Sequence, residues 1–405
     1  EGFVDYVLWG ADGKPLAVVE AKRSFTDPDV GRQQAKLYAD CLEEMKGQRP
    51  LIFFTNGHKT WLWDDRRSPP REVQGFYTRK ELELAIQRRQ LQTALRDIKI
   101  NSAIVERSYQ QRAIRAMTEA FTQGKRAGLL TMATGTGKTR TAIALVDLLM
   151  RANWVKRVLF LADRVALVKQ ATGEFKKHLP DASPVNLVTE RYGQGRVFLS
   201  TYPTMMGLIE EMEGDRRKYG IGHFDLIVID EAHRSVYQKY GAIFRYFDSY
   251  LVGLTATPRS EVDRDTYRLF GLEPGVPTDA YGLDEAVADQ YLVPPKSHSV
   301  PIKFVREGVK YDDLPDDEKE HWESLDWGDQ AGWGEEGGMP EEVSAADVNK
   351  KLFNEHTVDL MLRHLMENGL KVDGGDKIGK TIIFAVNQRH ADFIAKRFDH
   401  NYPHY

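Results

Sequence analysis

Five short apolar runs, separated by helical patterns, constrain the fold of this chain more than any other feature. They lie at residues 128–132, 158–162, 197–200, 226–229 and 251–254. Short apolar runs that alternate with helical segments are typical of buried strands in an open parallel sheet, joined by strand–helix–strand crossovers. The central part of the chain, residues 100–262, is therefore predicted to form one α/β lobe.

Composition narrows the class of protein. The chain has 405 residues, of which 41% are hydrophobic and 10% aromatic, and at roughly 150 residues per domain this allows two or three domains. No apolar run approaches the ~18 residues that cross a bilayer, and no secretory signal opens the chain, so we expect a cytoplasmic protein without membrane contact. Cys41 is the single cysteine, which excludes a disulfide framework or a multi-cysteine zinc site. The net charge of −4 means that DNA contacts need local basic patches.

A glycine-rich loop directly follows the first apolar run. Residues 132–139 are MATGTGKT, and a helical pattern comes next. Glycines let the backbone curl so that its amide groups point at phosphates, and the helix amino terminus adds a favourable dipole. Lys138 can reach the β- and γ-phosphates of ATP, and Thr139 can offer its hydroxyl to Mg²⁺. The predicted nucleotide-binding residues are Thr134, Gly135, Thr136, Gly137, Lys138 and Thr139.

An acid pair ends the fourth apolar run. We predict that Asp230 holds Mg²⁺ and that Glu231 is catalytic, because it can orient and deprotonate the attacking water. The carboxyl ends of parallel strands meet at one edge of a sheet, where ligands bind. The polar residues at 163–164, 201–202 and 255–257, which also follow apolar runs, are expected at that same edge.

The first 22 residues predict a hairpin that carries a second site. An Asp-Gly turn at residues 12–13 separates residues 3–9 from residues 15–22 and pairs positions whose numbers sum to 25. Asp5 then lies opposite Glu20, with Lys22 on the same face. Opposed carboxylates favour a bound cation, and Mg²⁺ prefers oxygen ligands, so Asp5 and Glu20 are candidate metal ligands. The alternative is a surface hairpin in which Lys22 merely neutralises the two carboxylates.

A glutamine and a tyrosine downstream of this hairpin favour the catalytic interpretation. Gln34 and Tyr38 are four residues apart, which puts them on one face of a helix. Together with Asp5, Glu20 and Lys22 they resemble the PD-(D/E)xK nuclease core and the Q-x-x-x-Y helix of type I restriction subunits. The resemblance implies that Asp5, Glu20 and Lys22 are catalytic, and that Gln34 and Tyr38 support the site or contact DNA.

The central lobe resembles the superfamily 2 helicase-like ATPases. Residues 230–233 are similar to the DEAH-type box, and residues 255–257 are similar to the third helicase motif. The resemblance implies further roles for six residues: Gln110 reads the adenine, Arg164 and Thr201 touch the DNA backbone, and His233, Thr255 and Thr257 couple the ATP state to DNA.

The order of these sites resembles the restriction subunit of a type I restriction-modification enzyme. That resemblance implies an ATP-dependent translocase and Mg²⁺-dependent endonuclease that binds double-stranded DNA together with methyltransferase and specificity subunits. Such a subunit cleaves unmethylated DNA away from the recognition site. Two alternatives remain: a DNA repair helicase with a non-catalytic nuclease-like domain that binds DNA, and an ATP-dependent scaffold in which both sites are vestigial.

The expected fold class is α/β, with a small mixed-sheet nuclease-like domain, a RecA-like parallel-sheet lobe and the start of a second RecA-like lobe. The predicted parts are a nuclease core at 1–78 that extends upstream, a connector helix at 79–99, the first lobe at 100–262, a connection with an acidic loop at 263–350, and the second lobe from 351 to 405. In the last part we expect a strand at 381–386 and a helix near Arg389. Because the late helicase motifs are absent from this sequence, we expect it to bind nucleotide but to hydrolyse it poorly alone.

Overall fold

The computed structural model describes residues 4–232, 234–257, 262, 264–294, 309–313, 319, 342–343, 355–385 and 387–405. The chain divides into two compact units, Glu1–Pro294 and Pro295–Tyr405. Within the described residues, no helix has the length and apolar character that a membrane span requires.

A five-stranded mixed sheet forms the amino-terminal part of the first unit. Its strands in spatial order are β1 (Tyr6–Trp9), β2 (Pro15–Ala21), β3 (Leu51–Thr55), β4 (Thr60–Trp63) and β5 (Arg71–Val73). Only β2 and β3 pair in parallel, because helix α1 (Arg32–Lys46) crosses over between them. Helix α1 packs on one face of the sheet and helix α2 (Arg79–Leu91) on the other. Strand β2 is buried on both faces, which explains its almost continuous apolar sequence.

The predicted hairpin register is confirmed over most of its length. Tyr6 pairs with Val19, Val7 with Val18 and Leu8 with Ala17, so each pair sums to 25. The register shifts between Leu8 and Trp9. Asp5 directly precedes the first paired residue of β1, so it lies at the end of the ladder on the side of Glu20.

A seven-stranded parallel sheet forms the rest of the first unit. Its order is β14-β6-β13-β12-β7-β9-β8, and β10 pairs with β11 in a separate hairpin. The strands in chain order are β6 (Ala127–Met132), β7 (Val158–Ala162), β8 (Pro184–Asn186), β9 (Val197–Thr201), β10 (Met212–Glu213), β11 (Arg216–Arg217), β12 (Leu226–Asp230), β13 (Tyr250–Thr255) and β14 (Asp279–Tyr281). All five predicted apolar runs are strands of this sheet, and every ladder in it is parallel.

Helices cover both faces of the parallel sheet. They are α3 (Ser108–Thr122), α4 (Lys138–Arg151), α5 (Val165–His178), α6 (Tyr202–Glu210), α7 (Arg234–Tyr246), α8 (Arg264–Leu269) and α9 (Leu283–Ala288). One apolar core lies under α3, α4 and α5, and a second lies under α6, α7 and α8. This doubly covered sheet is the architecture that the alternating pattern predicts.

The connector helix is shorter than the sequence suggests. Helix α2 ends at Leu91, and a short 3₁₀ turn follows at Leu95–Asp97. Tertiary hydrogen bonds hold the chain between them: the Thr93 amide donates to the Ala152 carbonyl, and the Trp154 indole donates to the Thr93 carbonyl at 3.0 Å. These bonds replace those that a continued helix would make.

Residues 264–294 were expected to belong to a connection, yet they complete the parallel sheet. Strand β14 pairs with β6, and the Ala133 amide donates to the Tyr281 carbonyl at 2.9 Å. A strand of three residues is too short to show a periodic pattern, so its pairing is a tertiary feature.

Two buried aspartates join the five-stranded sheet to the amino-terminal ends of the parallel strands. Asp248 accepts two hydrogen bonds from Arg71 at 2.7 and 2.6 Å, one from the Tyr77 hydroxyl at 2.5 Å and one from Arg126 at 2.8 Å. Asp225 pairs with Arg88 of α2 and accepts the amides of residues 156 and 157 at 2.7 and 2.9 Å.

In the second unit, helices α10 (Glu355–Asn368) and α11 (Gln388–Asn401) pack together. The helix predicted near Arg389 is confirmed, and Asn387 caps it. The prediction of a strand at 381–386 is wrong for residues 381–385, which form no strand with any described residue. Val386 is not among the described residues. Short strand pairs occur at β15 (Val309–Lys310) with β16 (Glu342–Val343) and at β17 (Lys371–Val372) with β18 (Lys377–Ile378).

Candidate nucleotide and nuclease sites

The glycine-rich loop links β6 to α4, as predicted. Gly135 and Gly137 have φ values of 86° and 87°, a left-handed conformation that side chains with Cβ atoms rarely adopt. A Cβ atom on Gly137 would also lie 2.7 Å from the Gln110 side-chain nitrogen. The positive φ therefore favours glycine at position 137, and a side chain there would also force Gln110 to move. Thr134 and Gly135 are exposed, and the fully buried Thr136 donates its hydroxyl to the Ala133 carbonyl at 2.6 Å.

Helix α3 supports the loop from behind. Gln110 is 4% exposed and donates its side-chain amide to the Thr136 carbonyl at 3.2 Å. The Tyr109 hydroxyl donates to the same carbonyl at 2.7 Å. Tyr109 in turn stacks on Tyr281, with ring centroids 3.8 Å apart. Gln110 thus fixes the loop's curvature, and its contact with adenine stays a prediction. The supporting role of Tyr109 was missed, since it depends on the distant Tyr281.

The acid pair lies at the carboxyl edge of the sheet near the loop. Strand β13 lies between β6 and β12, and the Lys138 ammonium is 3.9 Å from a Glu231 carboxylate oxygen. Glu231 has φ of +53°, an unusual conformation for a residue other than glycine. Backbone strain of this kind concentrates at functional sites. Thr255 is fully buried at the end of β13, and its hydroxyl oxygen accepts the Thr257 amide at 3.1 Å.

Electrostatics at this edge fit a bound cation. The pKa of Asp230 is raised to about 6: burial is the largest cause, the charge of Glu231 adds to the rise, and the charge of Lys138 opposes it. A divalent cation would favour the ionised carboxylate. Asp230 and the hydroxyl of Thr139, at the amino end of α4, are oxygen donors of the kind that Mg²⁺ prefers. These residues therefore fit Mg²⁺ with a nucleotide.

The residues predicted to touch DNA or couple to it differ in accessibility. Arg164 follows β7 at the carboxyl edge, and its side chain is 80% exposed. Thr201 is 5% exposed and caps α6: its hydroxyl oxygen accepts the Thr204 amide at 3.4 Å and lies 2.9 Å from the Thr204 hydroxyl. Helix capping is sufficient to explain the threonine. The DNA contacts of both remain predictions, as does the coupling role of Thr255 and Thr257; His233 lies outside the described residues.

A continuous chain of hydrogen bonds joins four of the predicted nuclease residues. The Lys22 ammonium donates to Glu20 at 2.6 Å and to the Gln34 side-chain oxygen at 3.1 Å. The Gln34 amide donates to the Tyr38 hydroxyl oxygen at 2.7 Å. Strand β2 and helix α1 thus bring Glu20, Lys22, Gln34 and Tyr38 together, although they are spread over 19 residues of sequence.

The carboxylates of this site leave one buried oxygen without a partner. Glu20 is 2% exposed, and its second carboxylate oxygen accepts no hydrogen bond. Asp5 is exposed and accepts the Ala21 amide at 2.8 Å. Among the described residues no group of three or more His, Cys, Asp or Glu forms a metal site. Mg²⁺ often takes only one or two carboxylates and keeps several waters, so the unpartnered oxygen of Glu20 fits such an ion.

A glycine that sequence reasoning overlooked lets α1 approach this site. A Cβ atom on Gly31 would lie 2.9 Å from Glu20 Cγ and 2.9 Å from Lys22 Cε. The backbone of Gly31 has an ordinary helical φ of −81°, so the requirement is close approach and not conformation. No sequence signal marks this glycine, because its neighbours are brought to it by the fold.

The comparisons with known proteins identify restriction-enzyme subunits as similar to this chain. Residues 103–260 match the family described as type III restriction enzyme, res subunit. The chain is 33% identical to the EcoAI type I restriction enzyme endonuclease subunit of Escherichia coli, over 75% of the chain and 38% of that subunit. It is 26% identical to the EcoKI subunit of Escherichia coli strain K12, over 100% of the chain and 39% of that subunit.

The chain is also similar to a solved structure, a fragment of an HsdR subunit of a type I restriction enzyme from Vibrio vulnificus YJ016. The two are 26% identical in sequence, and the structural match has a TM-score of 0.45. It covers 98% of this chain and 64% of that fragment. The chain spans about two-fifths of the length of the curated relatives. It is thus an α/β protein similar to the endonuclease subunits of type I restriction enzymes, with a helicase-like segment at residues 103–260.

Proposed function

We propose that this chain is the cutting and motor part of a type I restriction enzyme: an ATP-dependent DNA translocase and Mg²⁺-dependent endonuclease. The observation that carries the proposal is the hydrogen-bonded chain of Glu20, Lys22, Gln34 and Tyr38. It occurs in the same compact unit as a phosphate-binding loop with an acid pair beside it. Its proposed partners are methyltransferase and specificity subunits, and its substrate is unmethylated double-stranded DNA, cut away from the recognition site.

For ATP hydrolysis, each residue of the carboxyl edge has a distinct task. The backbone amides of residues 134–138 and the Lys138 ammonium bind the phosphates, and Gln110 and Tyr109 keep the loop curved through the Thr136 carbonyl. Thr139 and Asp230 would hold Mg²⁺, which neutralises the negative charge that develops during phosphoryl transfer. Glu231 is 37% exposed and can orient a water molecule and accept its proton.

For DNA cleavage, the amino-terminal residues divide the work similarly. Asp5 and Glu20 would hold Mg²⁺, which activates a water molecule and polarises the scissile phosphate. Gln34 and Glu20 fix the Lys22 ammonium, which is 23% exposed and can stabilise negative charge on that phosphate. Tyr38 accepts a hydrogen bond from Gln34, so its own proton is free to be donated to a DNA phosphate.

The proposal is tested by converting Lys22 to Ala in the complete subunit, reconstituted with its partner subunits. Loss of a positioned charge at a reacting phosphate costs on the order of 10²–10³-fold in rate. We expect ATP-dependent cleavage of unmethylated DNA to fall by that amount while ATP hydrolysis is unchanged. Lys14→Ala removes an exposed lysine from the same hairpin and serves as the matched control, with cleavage retained.

Two further results decide between the alternatives. Lys138→Ala should abolish ATP use and, through lost translocation, cleavage. Wild-type cleavage by a folded Lys22→Ala enzyme would refute the nuclease assignment and favour a helicase with a DNA-binding domain. Cleavage that survives Lys138→Ala would refute the coupling of motor and nuclease.

A further inference from the structure

A cavity lies where the five-stranded sheet meets the amino-terminal ends of the parallel strands. It has a volume of about 260 Å³, and we name it the seam cavity. Its wall includes Arg67, Arg71, Arg88 and Arg126, together with Gln92 and Trp154. The glycine-rich loop and the acid pair lie at the opposite, carboxyl-terminal ends of these strands. The seam cavity is therefore separate from the nucleotide site.

The acidic side chains of the wall already have cationic partners. Asp248 is engaged by Arg71, Tyr77 and Arg126, and Asp225 by Arg88 and two backbone amides. Asp64 pairs with Arg89 at 2.9 Å. These carboxylates account for every arginine of the wall except Arg67.

Arg67 has no such partner. Among the described residues, no carboxylate lies within ion-pair distance of its guanidinium and no acceptor receives a hydrogen bond from it. Its guanidinium lies 5.8 Å from the centre of the Trp154 ring. Burial lowers the pKa of Arg67, although the nearby Tyr250 and Asp64 oppose the effect. A partly buried charge without a counter-charge is unfavourable, because it has lost part of its hydration and gained no ion pair in return.

Two more donors of the wall are unsatisfied. Arg88 Nε and Gln92 Nε2 are buried without a hydrogen-bond acceptor. Among the described residues of the wall, Asp64 Oδ1 also accepts no hydrogen bond, although it lies 2.9 Å from Arg89 in an ion pair. The unsatisfied N–H groups of Arg67, Arg88 and Gln92 outnumber it, so the seam cavity lacks an acceptor with negative charge. Phosphate oxyanions supply several strong acceptors and pair well with guanidinium groups.

We propose that the seam cavity binds a small phosphate-bearing anion, held by Arg67, Arg88 and Gln92. Such a ligand binds between the two sheets, so it stabilises their attachment to each other by mass action. The proposal does not depend on the nuclease or motor assignment, because none of the residues involved belongs to either candidate site.

Arg67→Met tests the proposal in the full chain, with Arg66→Met as the matched control. Arg66 is the neighbouring residue, is 58% exposed and pairs with Glu43. In phosphate-free buffer we expect Arg67→Met to melt at or above the wild-type temperature, because the change removes a desolvated, unpaired charge. Inorganic phosphate at constant ionic strength should raise the melting temperature of wild type and of Arg66→Met more than that of Arg67→Met.

Calorimetric titration with inorganic phosphate gives the affinity directly. Any phosphate bound at the glycine-rich loop contributes equally in wild type, Arg66→Met and Arg67→Met, so the difference between these proteins reports the seam cavity. For phosphate binding at the seam cavity, we expect the Kd to be at least tenfold larger in Arg67→Met than in wild type. The Kd should also be larger in Gln92→Leu. A parallel titration with ADP shows whether the seam cavity takes the phosphate group of a nucleotide or free inorganic phosphate.

Three outcomes would overturn the proposal. One is phosphate affinity that is the same in wild type and Arg67→Met. Another is a loss of stability in Arg67→Met without phosphate, since that would assign the arginine a purely structural role. The third is a signal that depends on Arg67 and responds to a short DNA duplex but to neither phosphate nor ADP.

Discussion

Asp248 provides the most quantitative prediction, because a single carboxylate holds two arginines and a tyrosine at the junction of the two sheets. Its side chain is 6% exposed and accepts four hydrogen bonds. Burial by itself raises the pKa of Asp248, but the charges of Arg126 and Arg71 outweigh it and hold the pKa well below its usual range. The carboxylate is thus ionised in the folded chain at all physiological pH values.

Asp248→Asn keeps the shape of the side chain and removes its charge. Four charge-assisted hydrogen bonds at about 1.5–3 kcal/mol each would give an unrealistically large sum, because the desolvation of the groups offsets most of it. Breaking a buried ion pair from one side costs about 3–5 kcal/mol, since the remaining cations stay buried without a partner. The Asn amide also directs a donor at groups that are themselves donors. We therefore expect a loss of about 3–5 kcal/mol.

Urea unfolding of the chain at neutral pH, monitored by tryptophan fluorescence, measures this loss in the free energy of unfolding. With slopes of about 1–3 kcal/mol per molar urea, the midpoint should fall by at least roughly 1 M. The control is Glu83→Gln, because Glu83 forms an exposed pair with Arg79, and such pairs contribute only about 0–1 kcal/mol.

The pH dependence gives a second test of the same contact. The folded-state pKa of Asp248 is depressed, so the contribution is fully present above the unfolded pKa of about 3.9 and is lost as the pH falls toward the folded value. The difference between wild type and Asp248→Asn should therefore shrink below about pH 4. A neutral-pH loss under about 1 kcal/mol would refute the reasoning.

Three further predictions concern the nucleotide site. Gly137→Ala should weaken binding of a fluorescent ATP analogue at least tenfold, because position 137 has a positive φ and a Cβ atom there would lie 2.7 Å from Gln110. The control is Gly173→Ala in α5, where a Cβ atom meets no atom within 4 Å, and binding should be unchanged. Asp230→Asn should raise the melting temperature of the nucleotide-free chain at pH 7, since the raised pKa of about 6 marks a carboxylate that is disfavoured when ionised. Wild-type binding of Mg²⁺-ATP should weaken below pH 6 as Asp230 is protonated, and equal binding at pH 5 and pH 8 would contradict this.

Local sequence was sufficient for much of the fold. The five apolar runs predicted strands that became neighbours in one parallel sheet, and the Asp-Gly turn predicted a register that holds at three successive pairs. These predictions succeeded because side-chain periodicity and turn geometry act between residues that are close in sequence. The same reasoning placed Lys138 near Glu231, since parallel strands must end at a common edge.

The candidate nuclease site shows where local reasoning becomes incomplete. Its residue types were predictable, and the spacing of Gln34 and Tyr38 anticipated their shared helix face. That this face meets Lys22, and that Gly31 must lack a side chain to permit it, depends on how α1 packs against β2. Packing of a helix on a sheet involves residues distant in sequence, and no short window of sequence contains both partners.

The features decided only by the tertiary structure are those in which a polar group finds its partner across the fold. Asp248 meets Arg71 over 177 residues of sequence, Gln110 turns to the Thr136 carbonyl, and β14 joins β6 although it has only three residues. A buried polar group must be satisfied by whatever the fold brings near it. Sequence thus determined the five central strands, the glycine-rich loop and the chemical groups, whereas the fold determined which of those groups contact each other.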